Sequence, residues 1–243
     1  MNKVHKINTI YCWLFTLLLL SSKLFGAPQT LRFFTSFDTP DIKLAQAILE
    51  EAFKQNHYHT IFILEAYRRS ISRANSEGDG EVLRVANLKQ IDPEITGNLV
   101  PIPEPILEVP VFIVNHNPIS NFTHYNDLKP YRNGVLKGIR VLEKNVPNIH
   151  TISTYPSLFK LLNKKRIDNL ITSDYFIEEI TYNPDFQTEF YIHTLLKIDV
   201  FTYLNMKHVK LVAPIAATLK TMKKDGTYKR VESIIRSQYY SIQ

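Results

Sequence analysis

Residues Tyr203 to Val231 read YLNMKHVKLVAPIAATLKTMKKDGTYKRV. The stretch predicts a short strand, an amphipathic helix, a glycine stop and a second helix. Leu211, Ile215, Leu219 and Met222 recur at three- and four-residue intervals and so share one helical face. Lys220, Lys223 and Lys224 fall toward the end of that helix, where cations suit the exposed carbonyls. Gly226 can take the left-handed conformation that closes a helix, and Thr227 can cap the next one. A helical hairpin packed on a strand is the local reading.

Upstream, the spacing predicts alternating strands and helices. Leu31 to Phe34 is a short apolar strand. Thr39-Pro40-Asp41 opens a helix: a cap, a proline at the first position, and an acid that suits the dipole. Leu44, Ala45, Ile48, Leu49, Ala52 and Phe53 form its apolar stripe. Ile61 to Leu64 is a continuous apolar run, expected as a buried parallel strand. Arg69 to Asn75 predicts a short helix, and Val82 to Leu88 a third strand. This alternation predicts an α/β fold with a mostly parallel sheet.

Four prolines, Pro101, Pro103, Pro105 and Pro110, then punctuate an extended apolar segment. Their density excludes a helix and disfavours a central strand. A connector crossing between two lobes accommodates them. Beyond it, Leu136 to Leu142 and Asp168 to Thr172 are expected strands, with a helix over Ser157 to Leu162. Phe201 to Asn205 returns to the first half. The division expected is 28–112 plus 205–243 as lobe 1 and 113–204 as lobe 2. The two crossing strands would be a hinge that permits closure on a ligand.

The N-terminus carries Lys3 and Lys6, an apolar run from Ile10 to Leu20, and smaller, more polar residues to Ala27. A secretory signal cleaved near Ala27 is expected, with a single N-terminal anchor as the alternative. Cys12, the only cysteine, lies inside it, so the mature chain has no disulfide. Removing 27 residues leaves 216 of 243 and lowers the net charge from +6 to +3. That length suits two lobes of roughly 100 residues each. A mild positive excess does not call for nucleic acid or a membrane surface, and the basic pairs sit at helix ends. No nucleic-acid partner and no cofactor are expected, and the chain reads as a monomer.

The tail quoted above, with Tyr-Leu-Asn and Lys-His before a long helix and Met-Lys-Lys-Asp-Gly-Thr-Tyr after it, resembles the end of bacterial extracellular solute-binding proteins of family 3. Further pieces follow the family's order: Arg69-Ser70-Ile71, Gly78-Asp79-Gly80-Glu81 with Arg84 beyond it, Asn98 to Ile106, Gly134 to Ile139, and Arg166-Ile167-Asp168. The resemblance implies a two-lobed fold of the type II periplasmic binding proteins, a small polar solute held between the lobes, and a membrane permease or sensor as partner. It also implies a binding role and no enzyme activity. Import by an ABC-type transporter is one implied role; a sensory or interaction module that reuses the fold is the other. The chain departs from the amino-acid clamp of the family. Ala86 to Ile91 offers only Lys89 as a base, and Ser173 stands where an acid is expected, with Asp174 one residue later.

Ligands of open α/β sheets bind beyond the carboxyl ends of strands. That rule selects Phe37 after the first strand, Tyr67 and Arg69 after the second, and Arg84 within the third. In the second half it selects Lys137, Gly138, Ser173 and Asp174. Arginine suits a carboxylate or phosphate because its planar fork gives two parallel hydrogen bonds. Arg69 can instead pair with Glu65 or Glu81, and Arg84 with Glu81 or Glu104. Asp174 can instead cap a helix. Gly138 lets backbone approach a ligand closely. None of the sequence signatures of hydrolases, zinc proteases, P-loop proteins or dinucleotide binders occurs.

Overall fold

A computed structural model describes residues 28–36, 38–118, 121–173 and 190–240. The elements in order are β1 (Gln29–Thr35), α1 (Pro40–Gln55), β2 (Tyr58–Leu64), α2 (Tyr67–Ser76), β3 (Gly80–Val85), α3 (Leu88–Ile91), β4 (Leu99–Pro101) and β5 (Leu107–Asn115). There follow β6 (Asn133–Leu136), α4 (Arg140–Asn145), β7 (Ile149–Ile152), α5 (Tyr155–Asn163), β8 (Asn169–Ser173), β9 (Tyr191–Asn205), α6 (Val212–Asp225) and α7 (Thr227–Tyr240).

The described strands form one mixed sheet in the order β2-β1-β3-β9-β5-β8-β6-β7, with β4 also paired to β9. Its two ends are parallel: β2-β1-β3 on one side and β8-β6-β7 on the other. The middle is antiparallel, because β5 leaves the first half and β9 returns to it. β9 is 15 residues long and joins both halves.

Each half of the sheet is covered on both faces, and the alternation along the strands divides the side chains between them. In the first half Phe33 points into a core with Leu44, Ile48, Phe53, Ile215, Leu219 and Met222, while Phe34 points the other way, to Ile71, Ala74, Leu99 and Tyr203. In the second half Ile113 packs with Val135, Leu142 and Ile171, and Val114 with Tyr155, Leu158, Phe159 and Leu170. Each fully buried aliphatic or aromatic side chain contributes about 1.5–3 kcal/mol. An asparagine ladder ties three strands of the second half. Asn115 donates to Asn169 at 3.1 Å, and Asn169 donates to Asn133 at 3.0 Å.

The terminal hairpin forms as its periodicity predicts. Ile215, Leu219 and Met222 are buried, and Gly226 closes α6 at φ 85°. A 3-10 turn, Met206–Leu211, precedes α6. Thr227 is the first residue of α7 and not its cap; its amide is held by Asp225 Oδ1 at 2.9 Å. The hairpin grips the proline-rich crossing. Lys223 Nζ meets Glu104 Oε1 and the Pro105 carbonyl, and the Tyr228 hydroxyl donates to the Ile106 carbonyl at 2.7 Å.

Several expectations are corrected. β2 is parallel, but it is an edge strand, so Ile61 and Leu64 stand 46% and 57% exposed. β3 ends at Val85, and Leu88 begins a short helix. Residues 136–142 do not form a strand: β6 stops at Leu136, Gly138 turns at φ 99°, and α4 starts at Arg140. β5 is an interior strand despite Pro110. Pairing to β8 begins only at Val111, so the proline faces a partner on the β9 side alone.

Candidate functional site

β3 carries the feature that shapes the site. Glu81 pairs with Tyr203 and Arg84 with Phe201, so three steps along β3 match two along β9. The extra residue is a β-bulge. In a regular strand, residues three apart point to opposite faces; the bulge brings Glu81 and Arg84 to the same one. There the Arg84 Nη2 and Glu81 Oε1 form a buried ion pair. Ser70 Oγ donates to Glu81 Oε2 at 2.6 Å, and Arg84 Nη2 donates to Ser36 Oγ at 2.8 Å. Burial pushes the Glu81 carboxyl up to about 7, against the opposing pull of Arg84 and Ser70.

Arg84 also lines a cavity of about 190 Å³ between the two halves of the sheet. The first half supplies the start of α1, with Thr39, Asp41 and Ile42, together with Leu83, Arg84 and Val85 of β3 and Leu88 and Ile91 of α3. The second half supplies Ile139 to Leu142 at the start of α4, and Ser173 at the end of β8. Val109, Val111, Ile198 and Val200 of the crossing strands form the floor. The Thr39 hydroxyl is engaged in capping α1, accepting from the Ile42 amide at 3.2 Å.

Two contacts span the mouth. Arg140 Nη2 lies 3.6 Å from Asp92 Oδ1 across the gap, while its Nη1 donates to Glu143 Oε2 on its own helix at 3.1 Å. Lys144 Nζ donates to the Gln90 carbonyl at 2.7 Å. The second Asp92 oxygen, Oδ2, is buried without a hydrogen-bond partner.

The residues selected from sequence fall in different places. Arg84 and Ser173 line the cavity. Gly138 and Lys137 sit just before its wall residue Ile139; the Gly138 amide donates to Glu143 Oε1 at 2.7 Å, and Lys137 is exposed. Arg69 is exposed on α2, paired to Glu65 at 3.2 Å, and is not among the lining residues. Tyr67 begins α2. Phe37 and Asp174 lie outside the described residues. Sequence reasoning did not select Arg140 or Asp41. Arg140 falls inside the strand expected over 136–142, and in the sequence Asp41 carries only a helix-start signal.

A second polar cluster stands behind the first half and is structural. Asp79 Oδ2 accepts from the Arg32 amide at 2.7 Å, and Oδ1 meets His208 Nε2 at 2.7 Å and Lys207 Nζ at 2.9 Å. Burial pushes the Asp79 carboxyl up, but these donors outweigh it and hold it below the usual range. They fix the turn after β9 against the loop before β3. Among the described residues no group of three or more histidine, cysteine or acidic side chains could hold a metal ion, and no helix is long and apolar enough to cross a membrane.

No known protein-family profile matches the chain. An uncharacterized protein of Shewanella oneidensis is 24% identical over 208 residues, covering 81% of this chain and 77% of that one. Among solved structures, an ancestral arginine-binding protein bound to arginine is 18% identical, with 86% of this chain and 98% of that chain covered at a TM-score of 0.57. A periplasmic binding protein of an arginine transport system from Legionella pneumophila is 16% identical, with 85% and 99% covered at 0.57. The GluR0 ligand-binding core in complex with L-glutamate is 10% identical, with 86% and 98% covered at 0.64. The fold is therefore the two-lobed α/β architecture of the type II periplasmic binding proteins, as the resemblance of the tail and middle segments implies.

Proposed function

We propose that the protein is a periplasmic solute-binding protein that closes its two lobes on a small polar solute and delivers it to a membrane permease. The carrying observation is the cleft itself. Both halves of the sheet contribute to its walls, and each half supplies an arginine, Arg84 and Arg140. The lobes are residues 28–112 with 205–243, and residues 113–204. β5 and β9 are the hinge, and the exported form follows cleavage near Ala27. Loaded and empty protein differ because a solute touching both lobes favours the closed state by its differential affinity for it. The first-half site residues are Arg84 and the start of α1; the second-half ones are Ser173, Gly138 and the start of α4. Binding of this kind needs orientation and desolvation but no covalent step.

The test is a thermal-shift screen of the exported chain against amino acids, organic acids, polyamines and sugars. A solute at one hundred times its dissociation constant adds about 2.7 kcal/mol of stability. The control is Val109→Trp, which fills the cleft from its floor. A shift in the native chain that the filled variant loses is expected. Equal shifts in both proteins would place binding elsewhere, and no shift with any solute would remove the binding role.

A further inference from the structure

The free edge of the sheet carries an interaction surface independent of the cleft. Among the described residues β2 pairs with β1 alone and so ends the first half of the sheet. Proteins commonly blunt such an edge with lysine, proline, a bulge or a very short strand. β2 has none of these. It runs seven residues, Tyr-His-Thr-Ile-Phe-Ile-Leu, with no acid, lysine or arginine, in unbroken register with β1. One bond fixes the direction of its backbone. The Glu65 amide donates to the Thr35 carbonyl at 2.9 Å, toward β1. Amides and carbonyls alternate in direction along a strand, so those of His59, Ile61 and Ile63 also turn to β1. Those of Tyr58, Thr60, Phe62 and Leu64 turn outward, to the open edge. The side chains divide between the two faces: Tyr58 and Phe62 pack into the core under α1, and Ile63 into the one under α2. Ile61 therefore lies on the α2 face, nearly half exposed, and Leu64 on the other, more than half exposed.

We propose that two copies of the chain pair through β2, antiparallel about a two-fold axis at Ile61, so that one sheet runs through a dimer. In this register Thr60 faces Phe62 of the second copy, and Tyr58 faces Leu64. All four turn their backbone outward, so each facing pair exchanges two hydrogen bonds. Ile61 meets its own counterpart, and an aromatic ring meets an aliphatic side chain at Tyr58 and Leu64. The charges agree with self-pairing. No like charges come opposite each other along the strand, and just beyond it His57 falls opposite the acid Glu65 at both ends. Two-fold pairing also consumes both free β2 edges and closes the assembly, whereas β2 on the β7 edge would be head-to-tail and open-ended. β7, with four residues, offers little to pair with. The interface lies away from the crossing strands, so each copy keeps its own cleft and hinge. A single strand pairing is small for an interface, so the association is expected to be reversible.

The test is sedimentation velocity of the exported chain over a series from micromolar to near-millimolar protein. A monomer–dimer equilibrium is expected. Ile61→Lys places two like charges on the axis and is expected to weaken the dimer by about tenfold or more. Thr60→Pro removes an outward amide while sparing the ladder to β1 and is expected to act in the same direction. The Thr60 hydroxyl is buried without a hydrogen-bond partner, so its loss strands nothing. Should the proline variant fail to fold, Ile61→Lys at its exposed position decides. Disulfide trapping reads the register, because the only cysteine, Cys12, lies in the expected signal. Ile61→Cys sets two thiols across a non-hydrogen-bonded pair, whereas His59 stands about 13 Å from its own counterpart, four residues at about 3.3 Å each. Oxidation is expected to cross-link Ile61→Cys and not His59→Cys. A chain that stays monomeric throughout, as its composition leads one to expect, would overturn the proposal. So would a dimer that Ile61→Lys retains, larger species that grow with concentration, or equal cross-linking at the two positions. None of these outcomes bears on solute binding, which the thermal-shift screen decides separately.

Discussion

Glu81 offers a measurement in which burial and ion pairing predict opposite signs. Its carboxyl is fully buried beside Arg84 and raised from the usual 4.5 to about 7. Each pH unit of difference between folded and unfolded values is worth about 1.4 kcal/mol. The full contribution is therefore about 3 kcal/mol. Below pH 4.5 both states carry the proton. As pH rises toward 7, the unfolded chain releases it while the folded chain retains it, so the fold loses stability across that window; above 7 the loss is complete. Glu81→Gln keeps a neutral amide of the same shape beside Ser70 and Arg84 and removes the titration. Urea unfolding of both proteins, followed by far-ultraviolet circular dichroism from pH 4.5 to 8, measures the difference. The only tryptophan, Trp13, lies in the expected signal, so fluorescence is a poor probe. The native chain is expected to lose about 2–3 kcal/mol relative to the variant as pH rises. Parallel curves, or a native chain that gains on the variant, would show that Arg84 holds Glu81 ionised and would refute the reasoning.

Other substitutions separate packing from conformation and test whether the Lys144–Gln90 contact across the mouth acts as a latch. A Cβ at Gly80 would run into the Tyr203 carbonyl and the Phe33 ring, whereas one at Gly226 meets nothing within 4 Å but sits at φ 85°. Gly80→Ala is expected to cost about 3 kcal/mol from overpacking and Gly226→Ala about 1 kcal/mol from backbone strain; equal urea midpoints would contradict this. Lys144→Met removes the bond to the Gln90 carbonyl across the mouth. Its exposed setting limits the effect to under about 1 kcal/mol, enough to raise the open population severalfold. Small-angle scattering is expected to show a larger radius of gyration with no change in unfolding midpoint, and an unchanged radius would remove the latch from the account.

Much of this fold is legible in local sequence. α1 declares itself through a threonine cap, a proline and an acid, followed by a stripe of seven buried residues. The α6 stripe and the Gly226 stop are equally local. The apolar run of β2 shows a strand but not its place at the sheet's edge, because neighbours along the sheet are chosen by tertiary packing. The six-residue α4 has no side-chain cap and follows a glycine turn, so Val141 and Leu142 read as a continuation of β6. The site was partly visible for a similar reason. Arg84 stood out as a charge in an apolar strand, but the bulge that turns it onto Glu81 depends on register with β9, some 120 residues away. Arg140 carries no unusual local pattern, and only the tertiary fold, which sets the start of α4 against the end of α3, brings it beside Asp92.

Closure itself is open to direct measurement. The sole cysteine, Cys12, lies in the expected signal, so spin labels can be placed at Lys89→Cys on α3 and Asn126→Cys in the second half without background. Double electron–electron resonance then reports the distance between the halves with and without a saturating solute found by the screen. Hinged closure predicts a distribution that shortens and narrows with solute in the native background and stays broad in the Val109→Trp background. A distribution indifferent to a solute that binds would contradict capture between two moving lobes.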